Sequence, residues 1–186
     1  IETRLLTSGD RTCPWFQESS DRVVRAGELV SYDTDLVGPF GMCADLSRSV
    51  FCGPGRPSDE QRRLFRLSVE QIETNLAIMA PGKTFRELSE AAWTVPASCM
   101  DLRYGSLYHG VGMCDEFPRI VHFDQFDGYG TDGVLEPGMC FCVESYIGEV
   151  GGHEGVKIEE QVVVTETGIA RLSSFPFDEA LLGREI

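Results

Sequence analysis

Residues 29–49 read LVSYDTDLVGPFGMCADLSRS, and this stretch decides the fold more than any other part of the chain. Its first apolar run predicts a β-strand over residues 29–35, and its last run predicts a returning strand over residues 44–52. The letters GPFG between the two runs are typical of a turn. The stretch therefore predicts a hairpin with a wide tip, which would bring Asp45 back beside Asp33.

Acidic side chains recur in this hairpin and in two later strands. Asp33 and Asp35 lie two residues apart, so both would leave the same face of a strand. Glu144 lies inside the apolar run MCFCVESY, and Glu159 lies inside GVKIEEQVVV. Buried carboxylates that converge repel one another, and two divalent cations would cancel most of that repulsion.

A two-metal site accounts for these positions once one imidazole is added. The candidate ligands are Asp35, Asp45, His109, Glu144 and Glu159. Oxygen ligands with a single nitrogen suit Mn, Fe, Co or Zn better than Ca, and the set contains no sulfur. Taken singly, each residue also has a structural interpretation: a turn-flanking aspartate, an edge-strand glutamate, or a histidine in a loop or the core.

Helices are predicted after the hairpin. A capping-box pattern at Ser58 predicts a helix that ends at residues 80–82, and a second one at Thr84 predicts a helix that runs past Trp93. A loop-rich stretch with several glycine turn signals follows, and it contains HGVG at residues 109–112.

The last third of the chain is predicted to be mostly strand. Residues 139–146 predict a buried strand, and residues 156–165 and 169–172 predict a final hairpin around an ETG turn. A strand hairpin, then helices, then further strands is the element order of an α+β fold.

Composition excludes some functions. The chain has 186 residues, 42% of them hydrophobic, and a formal net charge of −14. Such a charge disfavours nucleic-acid binding. Neither a membrane-spanning run nor a secretory leader pattern is present, so a cytoplasmic protein is expected.

The seven cysteines form no CxxC motif, which predicts free, mostly buried thiols in a reducing compartment.

The order and spacing of these pieces resemble the creatinase, prolidase and methionyl aminopeptidase superfamily, whose members have the pita-bread fold. The matching pieces are DTD followed by DLSRS, the HGVG turn, the VES strand and GVKIEEQVVVTETG, over residues 30–168. The resemblance implies that the five candidate ligands bind two metal ions and that Asp45 and Glu159 bridge them.

Three positions depart from the hydrolases of that superfamily. Glu116 stands where the peptidases usually carry a second histidine, which helps to hold the scissile amide. Lys157 stands where prolidase-like members often carry arginine, and the two are not interchangeable at a bidentate site. Asp33 adds a carboxylate before the usual first ligand. The loss of the histidine argues against peptide hydrolysis.

The segments DTDLVGPFGMC, HGVGMCDE and GGHEGVKIEE closely resemble the dimethylsulfoniopropionate lyases of the superfamily, which release acrylate and dimethyl sulfide by β-elimination. The resemblance implies that Asp33 is a sixth ligand, that the two metal ions are iron (Mn, Zn, Co and Ni being the alternatives), that Asp115 is the base, and that Tyr104 lines the pocket. A leaving group that departs as neutral dimethyl sulfide needs no general acid. The like charge of Glu116 beside Asp115 would raise the pKa of the base.

The substrate implied by the resemblance is a small sulfonium carboxylate, whose cation favours aromatic faces. Tyr104 and Tyr108 flank the ligand histidine and are predicted to bind it. The weaker aromatic candidates are Tyr32, Trp15 and Trp93, the last of which is expected in the core. His122 and His153 are expected in loops or behind the ligands, and Arg48 is expected to be a structural ion-pair partner.

Two other functions remain open. One is a dinuclear metallopeptidase, a prolidase or aminopeptidase P-like Xaa-Pro hydrolase, and the other is a non-catalytic binding protein on the same scaffold. We expect residues 1–28 to be an irregular segment and residues 29–186 to form a partial, N-terminally truncated pita-bread domain. The N-terminal creatinase-like domain would then be absent, and the full-length protein is expected to be a homodimer.

Overall fold

The structure, a computed structural model, describes residues 5–15 and 17–183. Its strands are β1 (Leu6–Ser8), β2 (Leu29–Tyr32), β3 (Leu36–Val37), β4 (Cys43–Ala44), β5 (Arg48–Phe51), β6 (Ser106–Gly110), β7 (Arg119–Val121), β8 (Cys140–Ile147), β9 (Val156–Val164) and β10 (Ile169–Arg171). Its α-helices are α1 (Asp59–Ala77), α2 (Phe85–Ala91), α3 (Phe126–Tyr129) and α4 (Glu179–Leu182). Among the described residues no helix is long and apolar enough to span a membrane.

The strands form two main sheets and one small hairpin. The larger sheet has the order β10-β9-β8-β6-β7, and the smaller has the order β1-β2-β5; all the pairs are antiparallel. β3 and β4 pair with each other at the tip between β2 and β5. The α+β class and the hairpin of residues 29–52 are thereby confirmed.

The long strands β8 and β9 position the site, because each buries both of its faces. Odd-numbered side chains of β8 face α1, where Ser145 Oγ lies 2.7 Å from Ser68 Oγ. Even-numbered side chains, including Glu144, leave the opposite face. In the β8–β9 register Glu144 lies directly opposite Glu159. The sheet therefore brings two buried carboxylates together on the face away from α1.

Both predicted capping boxes are present, at Ser58 and Thr84. The expectation that the second helix runs past Trp93 is wrong, since α2 ends at Ala91 and Ala92 is extended. The backbone N–H of Trp93 donates instead to the Asn75 side chain at 2.9 Å. Trp93 is nevertheless packed against the main core, as expected.

Two regions predicted to be irregular contain strands. β1 and a 3-10 helix at Gly9–Thr12 lie in the segment expected to be irregular, and β1 pairs with β2. β6 and β7 lie in the stretch expected to be loops, and β6 is buried along its whole length. Both predictions are wrong. β1 and β7 have only three residues each, and all five residues of β6 are buried, so none of them shows the alternation that identifies a strand in sequence.

Candidate metal centre

The six predicted ligands come from five parts of the fold. Asp33 and Asp35 follow the end of β2, Asp45 lies between β4 and β5, His109 is in β6, Glu144 is in β8, and Glu159 is in β9. The premise that Asp33 and Asp35 share a strand face is wrong, since β2 stops before them and Asp35 has a φ of +29°. Their carboxylates nevertheless approach each other.

The ligand atoms fall into two groups that share Asp45. In one, Asp33, Asp35 and Asp45 each offer a carboxylate oxygen, and these atoms lie within 4.8 Å of one another. In the other, the same spacing holds for Asp45, His109, Glu159 and the thiol of Cys142. Two adjacent groups joined by one carboxylate match the donor arrangement of a dinuclear site.

His109 contacts several carboxylates of the cluster through one ring nitrogen. Its side chain is fully buried, and its Nε2 atom lies 3.2 Å from Glu144 Oε1, 3.5 Å from Glu159 Oε1 and 3.9 Å from Asp45 Oδ2. Burial lowers the pKa of His109, but the contacts with Glu144 and Glu159 outweigh burial and hold the pKa well above its ordinary value.

Lys157 lies inside the cluster. Its ammonium is fully buried, contacts Glu144 Oε2, lies 3.4 Å from Asp33 Oδ2 and 3.5 Å from Glu159 Oε2, and donates to Ser47 Oγ at 2.9 Å. Burial lowers the pKa of Lys157, yet the negative charges of Asp33, Glu144 and Glu159 raise it well above its ordinary value. Lys157 is therefore a buried, protonated cation that neutralises part of the negative charge of the carboxylates.

The cluster still holds more negative charge than its own cations balance. Burial, followed by the charges of Glu159, Asp33 and Glu144, raises the pKa of Asp45 to about 11. Burial and Glu159 likewise raise the pKa of Glu144 to about 8, against the opposing effects of Lys157 and His109. A carboxyl group with such a pKa gives up its proton readily only when a further cation is present.

An unpaired atom points to the same conclusion. Glu159 is fully buried, and among the described residues its Oε1 atom accepts no hydrogen bond of normal geometry, His109 Nε2 lying 3.5 Å away. A buried carboxylate oxygen without a donor is costly, and a metal ion would satisfy it. The donor set, five carboxylates with one imidazole, suits a divalent first-row metal. The residues present therefore fit a dinuclear metal centre.

The predicted base and its neighbour lie against different nitrogens of the His109 ring. Asp115 Oδ1 is 3.9 Å from His109 Nδ1, and Glu116 Oε1 is 3.9 Å from His109 Nε2. Burial raises the pKa of Asp115, His109 opposes this, and the like charge of Glu116 adds only a smaller increase. The expected direction of the shift is confirmed, but burial is its main cause.

Of the two tyrosines predicted to bind substrate, only Tyr104 lies at the centre. Its ring centroid is 4.7 Å from Lys157 Nζ, and its hydroxyl donates to Glu116 Oε1 at 3.5 Å. Tyr108 is fully buried in the main core, and its hydroxyl donates to the Asn75 carbonyl oxygen at 3.0 Å. Tyr108 is next to His109 on a strand and so leaves the opposite face, which makes it a core residue and not a pocket residue.

The remaining candidates have separate positions. Trp15 is buried beside Tyr104, with its ring centroid 5.9 Å from Lys157 Nζ, whereas Tyr32 packs edge-on against Phe175. Trp93 and His122 line a groove of about 600 Å³ to which none of the six ligands contributes.

Two further residues were expected to be structural or peripheral. His153 is exposed. Arg48 is confirmed as a structural ion-pair partner, since its buried guanidinium lies 2.5 Å from Glu160 Oε1. All seven cysteines are free, as predicted, but only Cys99 and Cys142 are fully buried, and Cys114 is exposed.

Sequence reasoning missed two members of the cluster, Lys157 and Cys142. The predicted ligand set contains no sulfur, but the Cys142 thiol lies within 4.8 Å of ligand atoms of Asp45, His109 and Glu159. The sequence signal that could have identified both residues is a spacing of two from a predicted ligand on the same strand. Cys142 precedes Glu144 by two residues, and Lys157 precedes Glu159 by two, so each shares the face of a ligand on β8 or β9.

Comparisons with known proteins agree with this geometry. Residues 3–166 match the model of metallopeptidase family M24. The chain is 46% identical over 184 residues to the dimethylsulfoniopropionate lyase DddP of Roseovarius nubinhibens, covering 99% of this chain and 41% of that protein. Against the Xaa-Pro dipeptidase of Pyrococcus furiosus the identity is 30%, over 91% of this chain and 46% of that protein.

Solved structures give the same picture. The prolidase of Pyrococcus furiosus superposes with a TM-score of 0.76 at 27% identity, covering 92% of this chain and 49% of that chain. The X-Pro aminopeptidase of Thermotoga maritima gives 0.73 at 29% identity, covering 94% and 47%. The chain thus spans less than half the length of the relatives it matches.

Proposed function

The chain belongs to metallopeptidase family M24, and from that premise we propose that it forms the catalytic part of a metal-dependent lyase that cleaves dimethylsulfoniopropionate into acrylate and dimethyl sulfide. The observation that carries the proposal is that the chain is more similar in sequence to lyases than to dipeptidases. Two dimethylsulfoniopropionate lyases are 46% and 45% identical over nearly the whole chain, whereas Xaa-Pro dipeptidases reach 30% and 34% over 91% and 78% of it.

The dinuclear centre would be held by side chains already in contact. The proposed ligands are Asp33, Asp35, Asp45, His109, Glu144 and Glu159. Asp45 and Glu159 are proposed to bridge the two ions, and iron is the proposed metal, with Mn, Zn, Co and Ni as alternatives. When bound, the ions would hold the substrate carboxylate and stabilise the negative charge that develops on it.

Asp115 is the proposed base. Its carboxylate would take the proton from the carbon next to the substrate carboxylate, the electron pair of that C–H bond would form the C=C bond of acrylate, and the C–S bond would break with its pair on sulfur. The proton would then pass from Asp115 to solvent. Burial raises the pKa of Asp115, and a carboxylate with a raised pKa is the stronger base.

Aromatic faces would hold the sulfonium end of the substrate. Tyr104 and Trp15 lie together beside the cluster, and each already has the Lys157 ammonium over its ring. The faces of aromatic rings attract cations, which suits the positively charged sulfonium group. Tyr104 is therefore the proposed pocket residue, and Trp15 packs behind it.

The competing function is hydrolysis of Xaa-Pro peptides by the same two ions. The likeness to prolidases and dipeptidases favours it. Glu116 argues against it, because a carboxylate 3.9 Å from His109 Nε2 cannot do the work of the histidine that holds a scissile amide. The homodimer and the cytoplasmic location stay predictions.

The experiment is a headspace assay on the full-length protein, run beside this chain alone. Metal-loaded protein is given dimethylsulfoniopropionate, and dimethyl sulfide and acrylate are quantified together. The proposal predicts the two products in equal amounts from the full-length protein and none after chelation of the metal. Full metal occupancy without either product would contradict it.

A further inference from the structure

Cys142 is a member of the cluster that has no role in the proposed reaction. It lies on β8 two residues before Glu144 and leaves the same strand face. Its side chain is fully buried, and in the β6–β8 register it lies directly opposite His109. Two neighbouring strands therefore direct a thiol and an imidazole to the same place.

The thiol is close enough to share a ligand sphere. Its Sγ atom and one ligand atom each of Asp45, His109 and Glu159 all lie within 4.8 Å of one another. Sγ also lies 3.9 Å from the Asp45 carbonyl oxygen. Among the described residues the buried Glu159 Oε1 atom accepts no hydrogen bond of normal geometry, and His109 Nε2, in the same group, lies 3.5 Å from it. The unpaired oxygen is an independent sign that this group takes a cation.

The two halves of the centre therefore differ in chemistry. Asp33, Asp35 and Asp45 offer oxygen alone, which suits harder cations such as Mn²⁺. Asp45, His109 and Glu159 offer oxygen and nitrogen, and Cys142 adds sulfur, which suits Zn²⁺, Co²⁺ or Fe²⁺. A buried cysteine far from a metal site is simply a small apolar residue, but this one is surrounded by ligand atoms.

We propose that Cys142 is a sulfur ligand for the ion held by Asp45, His109 and Glu159, so that this half of the centre selects the softer metal. The inference rests on the proposed dinuclear centre. On binding, a metal–sulfur bond forms and the S–H bond breaks, and the proton passes to solvent. The oxidation state of the metal does not change.

The test is a titration of the metal-free full-length protein with Co²⁺, followed by absorption in the near ultraviolet. The wild-type protein is expected to show a sulfur-to-cobalt charge-transfer band that saturates after one of two equivalents. Cys142→Ser should lose the band and, relative to Mn²⁺, bind Zn²⁺ roughly tenfold more weakly. Cys140→Ser, two residues away on the same strand, is the matched control and should keep the band.

A second measurement needs no variant. X-ray absorption of the wild-type protein with one equivalent of Zn²⁺ should give one sulfur neighbour at about 2.3 Å. Binding of two ions with only nitrogen and oxygen neighbours would overturn the sulfur ligand while leaving the dinuclear centre in place. Failure to bind two ions at all would overturn both.

Discussion

Lys157 Nζ lies 3.4 Å from Asp33 Oδ2, and both side chains are almost completely buried. In the sequence these residues are two separate departures from the peptidase pattern, an added carboxylate and a lysine in place of arginine. In the structure they form one ion pair. The added negative charge of Asp33 is thus matched inside the cluster by the ammonium that also contacts Glu144.

Removing that ammonium should destabilise the metal-free protein. Lys157→Met leaves buried carboxylates without a partner, and breaking a buried pair in this way costs about 3–5 kcal/mol. The free energy of unfolding is measured by urea denaturation in the presence of chelator. Lys83→Met is the control, because Lys83 is half-exposed and pairs with Glu87 at 3.6 Å, so its loss should cost at most about 0.5 kcal/mol. Equal stability of the two variants would refute the role of Lys157.

Asp45 belongs to both groups of ligand atoms, so its loss should affect both ions. Asp45→Ala is expected to lose both metals, whereas Asp35→Ala, which belongs to one group, should keep the ion at His109. Metal content per protein is measured by elemental analysis after gel filtration. If Asp45→Ala retains one ion, Asp45 does not bridge the two.

Asp115→Asn should separate metal binding from catalysis. Asn keeps the size of the side chain but cannot accept the substrate proton, so the elimination rate should fall by about a hundredfold or more. Metal content should stay at the wild-type level, since Asp115 belongs to neither group of ligand atoms. Dimethyl sulfide release and metal content are measured on the same preparation. A fall in metal content would make Asp115 structural.

His122 should make the free energy of unfolding depend on pH below about 6.5. Burial, with help from Arg103, lowers the pKa of His122 to about 4, and its Nε2 lies 3.1 Å from the Tyr104 carbonyl oxygen. Because the folded pKa lies below the unfolded value of about 6.5, the stabilisation is complete above pH 6.5 and is lost as the pH falls toward 4. Over that range the loss should reach about 3 kcal/mol.

The measurement for His122 is urea unfolding of the wild type and of His122→Gln at several pH values between 7.5 and 4.5. Glutamine can donate to the same carbonyl but does not titrate. The difference between the two curves should shrink or change sign as the pH falls, since only the wild type must keep its imidazole neutral. A constant difference would show that His122 is not linked to folding.

The long elements were predictable from sequence because they carry strong local signals. α1 begins at a capping box, and β8 and β9 are long apolar strands. β1, β6 and β7 were not, since they are short and are defined by partners distant in the chain. Local patterns do not contain that pairing.

The candidate site divides in the same way. The ligands and Asp115 were named from residue order and a family resemblance, and the fold brings them together. Lys157 and Cys142 were not identified as members of the cluster, because their place in it depends on the β6–β8–β9 register, which a single sequence does not give. The prediction misplaced Tyr108 for a related reason. With His109 assigned to a loop, the sequence gave no strand on which Tyr108 and His109 would leave opposite faces.

The proposed function requires the centre to eliminate a sulfide and not to hydrolyse a peptide. The direct test offers one preparation of the iron-loaded full-length protein both dimethylsulfoniopropionate and an Xaa-Pro dipeptide, and compares kcat/KM for the two. The lyase proposal predicts turnover of the sulfonium substrate with dimethyl sulfide and acrylate in equal amounts, and no release of proline above the metal-free blank. Release of proline without dimethyl sulfide would contradict it.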